Sequence, residues 1–333
     1  MSEKVVIIPG DGIGPEIMDS ALEVLNAVSS NLEFIKIEAG LNVWKRKGYA
    51  ISGEDLEEIK RHKVILKGPI ATPIERGMYK SINVLLRKTL NLYANLRIFK
   101  SIPGISPFKN VDIALVRENT EGLYSGMEFR IMNDAAIAIR LITREGSRRV
   151  IKFAFNYALR NNRRKVTVIH KANILRETDG LFLEIARKIS KDYPSIELEE
   201  LIVDAAAYKL IKNPEIFDVI VTSNMFGDIL SDEVAGMVGS IGLVPSANIG
   251  DKYALFEAVH GAAFDIANKG IANPVGLILS AALMLDYLGM PKKAEAIRNA
   301  VMKALSEKEC RTPDLGGKAT TKGFTRKVLE YLS

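Results

Sequence analysis

The sequence has few cysteines and histidines and no long apolar run. Its 333 residues include one cysteine, Cys310, which excludes an intramolecular disulfide and a zinc site built from cysteines. The three histidines, His62, His170 and His260, argue against a polyhistidine metal site. No stretch approaches the ~18 apolar residues of a membrane-spanning helix, and the apolar run Val5–Ile8 is too short for a signal peptide. We therefore expect a cytoplasmic protein that does not enter a membrane.

The composition is that of an ordinary globular protein. Hydrophobic residues make up 47% and charged residues 26%, which argues against a disordered, collagenous or coiled-coil chain. There are 46 Lys and Arg against 40 Asp and Glu, a net charge of +6, and the basic residues are spread along the chain. This distribution predicts attraction of a small polyanionic substrate rather than binding of nucleic acid.

Strand-like and helix-like segments alternate along the chain. Short apolar runs such as Val64–Lys67, Val166–His170 and Val219–Thr222 predict buried strands, and helical patterns lie between many of them. Strands alternating with helices are typical of α/β architecture with substantial parallel sheet.

Two clusters of chain-breaking residues, at 100–107 and 236–242, are candidate domain boundaries. The length alone predicts about two domains. We expect a large domain formed by both chain ends, residues 1–99 and 236–333, and a smaller inserted domain of residues 100–235.

Three glycines, Gly10, Gly12 and Gly14, follow the first predicted strand. They suggest a phosphate-binding loop, but they match neither the G-x-G-x-x-G spacing of a classical Rossmann fold nor a Walker sequence. Pro15 suits the first turn of a helix. We therefore favour a tight strand-to-helix turn over a phosphate site.

Three arginines are embedded in apolar segments. Arg87 closes NVLLR, Arg97 closes LNLYANLR and Arg117 closes DIALVR. Guanidinium groups bind carboxylates in a bidentate manner, so three in one pocket would suit a di- or tricarboxylate. The alternative is that each arginine pairs with an Asp or Glu of the protein itself.

Two aspartates, Asp228 and Asp232, stand four residues apart in FGDILSDEVAG. On a helix both would project from one face, where like charges repel unless a cation lies between them. A site with only oxygen ligands prefers Mg²⁺ or Mn²⁺. Asp204, which ends the strand-like run ELIVD, is a candidate third carboxylate. The alternative is a solvated helix face, which is the commoner case for an isolated pair.

Two residues after predicted strands suit proton transfer. Lys171, in HKAN, follows the run VTVI, and partial desolvation at a strand end can lower the pKa of a lysine. Tyr124, in RENTEGLY, follows DIALVR and could donate a proton. Each of these residues, taken alone, is more often structural.

The segment FEAVHGAAFDI is a candidate ligand loop. Small residues after His260 permit close approach of a ligand to the backbone. Asp265 is the kind of residue that accepts both hydroxyls of an adenosine ribose and repels a 2′-phosphate. A plain surface loop is the alternative.

Together these motifs resemble the β-decarboxylating dehydrogenases, which are the isocitrate, homoisocitrate and 3-isopropylmalate dehydrogenases. The resemblance extends from GDGIGPE near the amino terminus to TPDLGG near the carboxy terminus, with the motifs above in the family's order. It implies an isopropylmalate/isocitrate dehydrogenase-like fold: two α/β domains around a mixed sheet, and not a classical Rossmann fold. It also implies a homodimer or dimer of dimers with shared active sites. The large domain would bind the cofactor, and the inserted domain would hold dimer contacts and metal and catalytic residues.

The resemblance gives each candidate residue a role. Tyr124 and Lys171 would be the acid–base residues. The metal, Mg²⁺ or Mn²⁺, would be bound by Asp204, Asp228 and Asp232, with Lys171 and Asp204 contributed by the second subunit. The substrate, a small tricarboxylate, would contact Ser81, Asn83, Arg87, Arg97, Arg117 and Asn173. The cofactor would contact Thr72, Asn83, Glu257, His260, Gly261, Ala262, Asp265, Ile266 and Asn273.

The resemblance also bears on substrate and cofactor choice. Ser81 and Asn83 are typical of isocitrate enzymes, whereas isopropylmalate enzymes usually have leucine where Asn83 stands. Some homoisocitrate enzymes have an arginine near Val84. Asp265 and Ile266 are typical of NAD enzymes. We expect conversion of isocitrate to 2-oxoglutarate with NAD. Homoisocitrate or dual use is the main alternative, and 3-isopropylmalate or a non-catalytic regulatory subunit is less favoured.

Overall fold

The computed structural model describes residues 3–29, 31–75 and 77–333. The described strands are β1 (Glu3–Ile8), β2 (Leu32–Lys36), β3 (Val64–Lys67), β4 (Ala94–Lys100), β5 (Asp112–Glu118), β6 (Glu128–Ile131), β7 (Ala135–Ala138), β8 (Lys165–His170), β9 (Glu197–Ile202), β10 (Val219–Thr222), β11 (Pro245–Ile249) and β12 (Ala254–Ala258). The described helices are α1 (Gly14–Val28), α2 (Leu41–Lys47), α3 (Gly53–Arg61), α4 (Ile82–Thr89), α5 (Arg144–Arg160), α6 (Thr178–Ser190), α7 (Val203–Lys212), α8 (Asn224–Val238), α9 (Val275–Tyr287), α10 (Pro291–Ser306) and α11 (Thr321–Glu330).

Most strands join one ten-stranded mixed sheet in the order β2-β1-β3-β12-β11-β4-β5-β10-β8-β9. The pairs toward both edges are parallel, whereas β11 is antiparallel to both neighbours and β4 is antiparallel to β5. The predicted α/β fold with a mixed sheet is therefore confirmed.

The strand order follows the two halves of the chain. β5, β10, β8 and β9, all from the middle of the sequence, occupy one end of the sheet. The strands near both chain ends occupy the other end, and β4 meets β5 between the two groups. The division into residues 1–99 with 236–333 and residues 100–235 stays a prediction.

Continuous apolar runs produce strands such as β10 because both faces of the sheet are covered by helices. In β10 all four residues are buried. Val219 and Val221 contact the core that includes α5, α9 and α10, whereas Ile220 contacts the core that includes α7 and α8. Successive strand residues point to opposite faces, so one short run contributes to both cores.

The glycine motif forms a tight turn between β1 and α1. Gly10 and Gly12 have positive φ angles of 78° and 58°, which favour glycine. A Cβ atom on Gly12 would lie 1.8 Å from the carbonyl oxygen of Ala262. The amide of Ile13 also donates to that oxygen at 2.9 Å. The turn therefore supports the segment that follows His260.

The hairpin β6–β7 stands apart from the large sheet. All its residues are exposed, and Phe129, Ile131 and Ile137 are 59%, 41% and 47% exposed. A two-stranded hairpin without a packed face is only marginally stable alone. The hairpin therefore presents apolar surface that a partner could cover. None of the described helices has the length and apolar character needed to cross a membrane.

Candidate active site

Arg117 is the centre of the first cluster. It ends the apolar part of β5 and is 1% exposed. Its Nε and Nη2 atoms donate to Oδ1 of Asn224 at 3.0 and 2.7 Å. Its Nη1 atom pairs with Asp228, and the other oxygen of that carboxylate accepts a hydrogen bond from the hydroxyl of Tyr124. The predicted proton donor and a predicted metal ligand are thus in direct contact.

Arg97, on β4, joins the same cluster. Its Nη1 atom donates to Ser231 at 2.5 Å and to Asp232 at 3.1 Å, and its Nη2 atom lies 3.7 Å from Asp228. Its Nε atom donates to Asn95 at 3.0 Å. Asp228 and Asp232 lie one turn apart on α8, as predicted from their spacing, and both face Arg97.

The charges in this cluster shift its pKa values. Burial would raise the pKa of Asp228, but Arg117, the Tyr124 hydroxyl and Arg97 together hold it below its usual value. Burial and the hydrogen bond to Asp228 raise the pKa of Tyr124, so the phenol is protonated at neutral pH. Burial, followed by repulsion from Arg87, lowers the pKa of Arg117 to about 10. Asp228 is therefore anionic beside a neutral tyrosine and charged arginines.

A second cluster surrounds Glu257 of β12. Lys67 Nζ lies 2.6 Å from Glu257, Asn248 donates to it at 2.7 Å, and Arg87 Nη2 lies 3.5 Å away. Burial raises the pKa of Glu257, but Lys67 and Arg87 outweigh it and lower the value to about 2. The predicted cofactor residue Glu257 is therefore a buried anion held by two cations.

A cavity of about 130 Å³ lies between the two clusters. Its lining includes Lys67, Ile70, Asn83, Arg87, Arg97, Ser246, Glu257, Val259, His260 and Gly261. The Oδ1 atom of Asn83 and the Nε2 atom of His260 are buried and have no hydrogen-bond partner in the described part of the chain. Burial lowers the pKa of His260, and its Nδ1 atom donates to the Gly261 carbonyl at 3.1 Å. Nε2 of the neutral ring is therefore an unsatisfied acceptor, as is Asn83 Oδ1.

The other predicted cofactor residues are not among the residues that line this cavity. Thr72 donates through its hydroxyl to Ser81 at 3.1 Å, and Ser81 caps α4. Asp265 is exposed, and Ile266 packs partly against the core. The side chain of Asn273 is held by the protein: it donates to Asp314 at 2.9 Å and accepts from the Val275 amide at 3.0 Å. Ala262 is buried beside the glycine turn.

Lys171 and Asp204 form a separate pair. The Lys171 ammonium lies 2.5 Å from a carboxylate oxygen of Asp204, and Asn173 is exposed nearby in sequence. The prediction that Asp204 ends a strand is wrong, because β9 stops at Ile202 and Asp204 lies in the first turn of α7. An acidic residue at that position is favoured by the helix dipole.

The predicted metal ligands are not assembled within one chain. Across residues 3–29, 31–75 and 77–333, no three Asp, Glu, His or Cys side chains are grouped so as to hold a metal ion. Asp228 and Asp232 are together, whereas Asp204 pairs with Lys171. The arginines also have protein partners: Arg117 and Arg97 contact these aspartates, and Arg87 contacts Glu257. A substrate carboxylate would compete for the same N–H groups.

Two residues of the site were missed in the sequence. Lys67 is 2% exposed and ends the apolar strand VILK. A charged residue at the end of an apolar strand is the same sequence feature that drew attention to Arg117. Asn224, which orients Arg117, begins α8 four residues before Asp228, but nothing in its local sequence indicates that contact.

Comparison with known proteins identifies the family. A family model described as isocitrate/isopropylmalate dehydrogenase matches residues 4–328. The chain belongs to the isocitrate/isopropylmalate dehydrogenase family. The predicted membership in the β-decarboxylating dehydrogenases, a family of enzymes, is therefore confirmed.

Individual relatives cover almost the whole chain. A homoisocitrate dehydrogenase of Methanocaldococcus jannaschii is 51% identical over 99% of this chain and 97% of that protein. A catalytic subunit of mitochondrial NAD isocitrate dehydrogenase of Arabidopsis thaliana is 46% identical over 98% of this chain and 87% of that protein. The crystal structure of isocitrate dehydrogenase from Methylococcus capsulatus superposes with a TM-score of 0.96 at 46% identity, covering 99% of each chain. These relatives act on different 2-hydroxy acids, so they leave the substrate of this chain open.

Proposed function

We propose that the protein oxidises and decarboxylates isocitrate to 2-oxoglutarate with a divalent metal ion and NAD. One observation carries the proposal: three arginines converge on the carboxylates of α8 and on the adjoining cavity. Arg87 and Arg97 are close enough to Arg117 to lower its pKa by repulsion. Such a concentration of buried positive charge suits a substrate with several carboxylates.

The cavity supports isocitrate over 3-isopropylmalate. Asn83 contributes a buried, unsatisfied acceptor, and Lys67, Arg87 and Glu257 line the same space. A branched apolar tail in this cavity would leave the Asn83 acceptor without a partner, at a cost of about 1–3 kcal/mol. A carboxylate-bearing tail can instead use the cations, and the amide of Asn83 can turn either its NH₂ or its oxygen to the ligand.

Homoisocitrate is the second candidate. It is favoured by the relative that is 51% identical over 99% of this chain and is described as a homoisocitrate dehydrogenase. Homoisocitrate is longer than isocitrate by one methylene, which is worth only about 1–3 kcal/mol in discrimination. Use of both substrates is therefore compatible with one pocket.

The residues of the chain have distinct tasks in this reaction. The arginines bind and orient the substrate carboxylates, which fixes the hydroxyl-bearing carbon. Lys171 would accept the proton of the substrate hydroxyl, directly or through water, as a neutral amine rather than as the ammonium that pairs with Asp204. Tyr124, whose raised pKa keeps it protonated, donates a proton to the enol carbon after CO₂ leaves, and Lys171 assists this transfer. Asp228 orients the tyrosine through their hydrogen bond.

The residues fit a dinucleotide and a hard cation. The unsatisfied acceptors on Asn83 and His260 suit the amide and hydroxyl donors of NAD, and Asp265 suits the ribose hydroxyls. The carboxyl groups of Asp228 and Asp232, with Asp204 of a second copy, would hold Mg²⁺ or Mn²⁺. When bound, the nicotinamide supplies a hydride acceptor and the cation supplies positive charge beside the substrate oxygens.

We further propose that two copies share each active site. The Lys171–Asp204 pair is separate from the Tyr124–Asp228 pair. In a shared arrangement, each chain would contribute the first pair to one active site and the second pair to the other. The exposed apolar residues of the hairpin β6–β7 offer surface for such an assembly. A homodimer, or a dimer of such dimers, in the cytoplasm and without nucleic-acid or membrane binding stays our expectation.

The test is steady-state kinetics of the purified protein. We expect the highest kcat/KM with isocitrate and NAD, a lower value with homoisocitrate and the lowest with 3-isopropylmalate, and lower values for each with NADP. A higher kcat/KM for homoisocitrate would reverse the choice between the two main candidates. Absence of turnover with all three acids, in the presence of Mg²⁺ or Mn²⁺, would instead favour a non-catalytic subunit.

A further inference from the structure

Asp179 is a buried carboxylate in the first turn of α6, outside the two clusters of the site. It is 1% exposed. One of its oxygens accepts the backbone N–H of Lys171 at 2.6 Å, and the other pairs with the guanidinium of Arg140. Asp179 therefore contacts the main chain of the proposed proton-transfer lysine and does not contact its ammonium.

The turn that carries Lys171 has further local support. The Lys171 carbonyl accepts from the amides of Ile174 and Leu175 at 3.0 and 2.8 Å. The amide of Ala172 donates to the ring nitrogen Nδ1 of His170 at 3.1 Å. The carboxylate of Asp179 is the one charged group bonded to this turn's backbone among the contacts of the described chain. An N–H that donates to a buried, ion-paired carboxylate is held more firmly than one bonded to a neutral acceptor.

Arg140 extends this support to the other half of the site. Its Nη1 atom also donates to Thr178 at 3.0 Å, and its Nη2 atom donates to the hydroxyl of Ser223 at 2.9 Å. Its guanidinium lies 5.3 Å from the ring centre of Phe226. Ser223 immediately precedes α8, the helix that carries Asp228 and Asp232. One side chain therefore connects the Lys171 turn to the start of the helix with the proposed metal ligands.

The backbone next to Arg140 reaches the tyrosine as well. Leu141 pairs with Gly122 in an isolated bridge, with the Gly122 amide donating to the Leu141 carbonyl at 2.8 Å. Gly122 caps the short helical turn that contains Tyr124. Arg140 and its neighbour thus lie between the segments that carry Lys171, Asp228 and Tyr124.

We propose that Asp179 and Arg140 are positioning residues, which fix the Lys171 turn and couple it to the start of α8. The inference rests on the proposed role of Lys171 in proton transfer. If two copies share each active site, each chain contributes Lys171 to its partner's site and keeps Tyr124 and Asp228 in its own. The Asp179–Arg140 pair would then connect these two contributions within one chain. An ion pair with a buried carboxylate suits this purpose because its geometry is specific and loss of one partner leaves the other charge uncompensated.

The test compares Asp179→Asn with a matched control. The amide keeps the size and an acceptor oxygen of the carboxylate but cannot neutralise Arg140. Glu184→Gln is the control because Glu184 lies on the same helix and forms an exposed ion pair with Arg144 at 2.8 Å. We expect kcat of Asp179→Asn to fall ~10- to 100-fold, the scale of a misplacement near 1 Å, with KM for the 2-hydroxy acid changed less than about threefold. Glu184→Gln should retain both values.

Amide hydrogen exchange supplies a readout that is independent of activity. Peptides covering residues 171–178 should exchange faster in Asp179→Asn than in Glu184→Gln or the unmodified protein. Arg140→Lys, which keeps the charge but loses the planar fork, should retain more kcat and slower exchange than Arg140→Met. If Asp179→Asn fails to fold, this Arg140 pair decides the question by the same two measurements.

The outcomes separate this proposal from the proposed function. Unchanged exchange at residues 171–178 in Asp179→Asn, or a kcat equal to that of Glu184→Gln, would overturn the positioning role. If Lys171→Ala retains full turnover, the role of Lys171 in the proposed function fails, while the exchange measurement still decides whether Asp179 and Arg140 hold the turn.

Discussion

The ammonium of Lys171 lies 2.5 Å from a carboxylate oxygen of Asp204. The hydrogen bond from Lys171 lowers the pKa of Asp204, which is largely exposed. The other functional pair, Tyr124 with Asp228, is built on different elements. The described part of the chain has both pairs but no group of three such side chains that could hold a metal ion, as the proposed sharing of active sites between two copies requires.

This arrangement predicts complementation between inactive variants. Lys171→Ala and Tyr124→Phe should each lose most activity, since each removes a group used for proton transfer. When the two variants are denatured together and refolded as a mixture, mixed dimers should regain activity because one site receives Tyr124 and Lys171 from different chains. Each variant refolded alone is the control. A mixture no more active than its parents would contradict shared sites.

A second prediction concerns the metal. Asp232→Asn should raise the Mg²⁺ or Mn²⁺ concentration required for half-maximal activity, because it removes a charged oxygen ligand but leaves the Tyr124–Asp228 contact in place. Asp192→Asn, an exposed change in the turn after α6, is the control. EDTA should abolish activity and either metal should restore it. Full activity in excess chelator would exclude the metal assignment.

The sequence predicted strands on both sides of the sheet, but it did not predict the centre of the sheet. β11 reads PSANI, which has none of the apolar and β-branched pattern of a buried strand. It lies there because its polar side chains are satisfied across strands: Asn95 donates to Ser246 at 2.9 Å and to Asn248 at 3.0 Å. Such a buried polar network depends on contacts distant in sequence, so no local pattern reveals it.

The same limit applies to the site. Helical spacing correctly placed Asp228 and Asp232 on one face of α8. The charge at the end of an apolar strand drew attention to Arg117, which pairs with Asp228. Neither signal indicates which carboxylate an arginine meets. The pairing of Lys67 with Glu257 requires β3 and β12 to be adjacent, and that adjacency is a property of the topology.

A third prediction follows from the pKa of Glu257, which is lowered to about 2 from its ordinary value of 4.5. A carboxylate whose pKa is lowered in the folded state stabilises the protein at pH values above its unfolded-state pKa, here 4.5. This stabilisation is lost progressively as the pH falls from 4.5 to about 2. Between pH 6 and pH 3.5 the free energy of unfolding should therefore drop by about 1.4 kcal/mol more in the unmodified protein than in Glu257→Gln. Urea unfolding at a series of pH values measures this difference.

The control for this measurement is Glu197→Gln, at an exposed position. Its free energy of unfolding should follow that of the unmodified protein through the same pH range. Equal pH slopes for Glu257→Gln and the unmodified protein would show that Lys67 and Arg87 do not depress the pKa of Glu257.

A fourth prediction concerns the choice of dinucleotide. Asp265 is exposed on the loop that begins at His260, so its carboxylate can accept ribose hydroxyls and repel a 2′-phosphate. The double variant Asp265→Lys with Ile266→Tyr should shift the ratio of kcat/KM values from NAD toward NADP. Asp192→Lys makes a similar charge change at a distant exposed position and should leave the ratio unchanged. A preference for NADP in the unmodified protein would contradict this interpretation of the loop.

The last prediction concerns the substrate tail. Asn83 lines the cavity beside Arg87, and its amide donates to the Ile70 carbonyl at 3.3 Å. Asn83→Leu removes a hydrogen-bonding group, which should weaken isocitrate by about 1–3 kcal/mol. It also adds apolar surface, which should favour the isopropyl group by roughly 0.8 kcal/mol for each buried methylene. Because the effects are opposite for the two acids, the isocitrate-to-isopropylmalate ratio of kcat/KM should fall by at least about tenfold. Asn299→Leu, on the exposed face of α10, is the control and should not change the ratio. An unchanged ratio in Asn83→Leu would mean that α4 does not contact the substrate tail, and the choice of isocitrate would lose its support while family membership would stand.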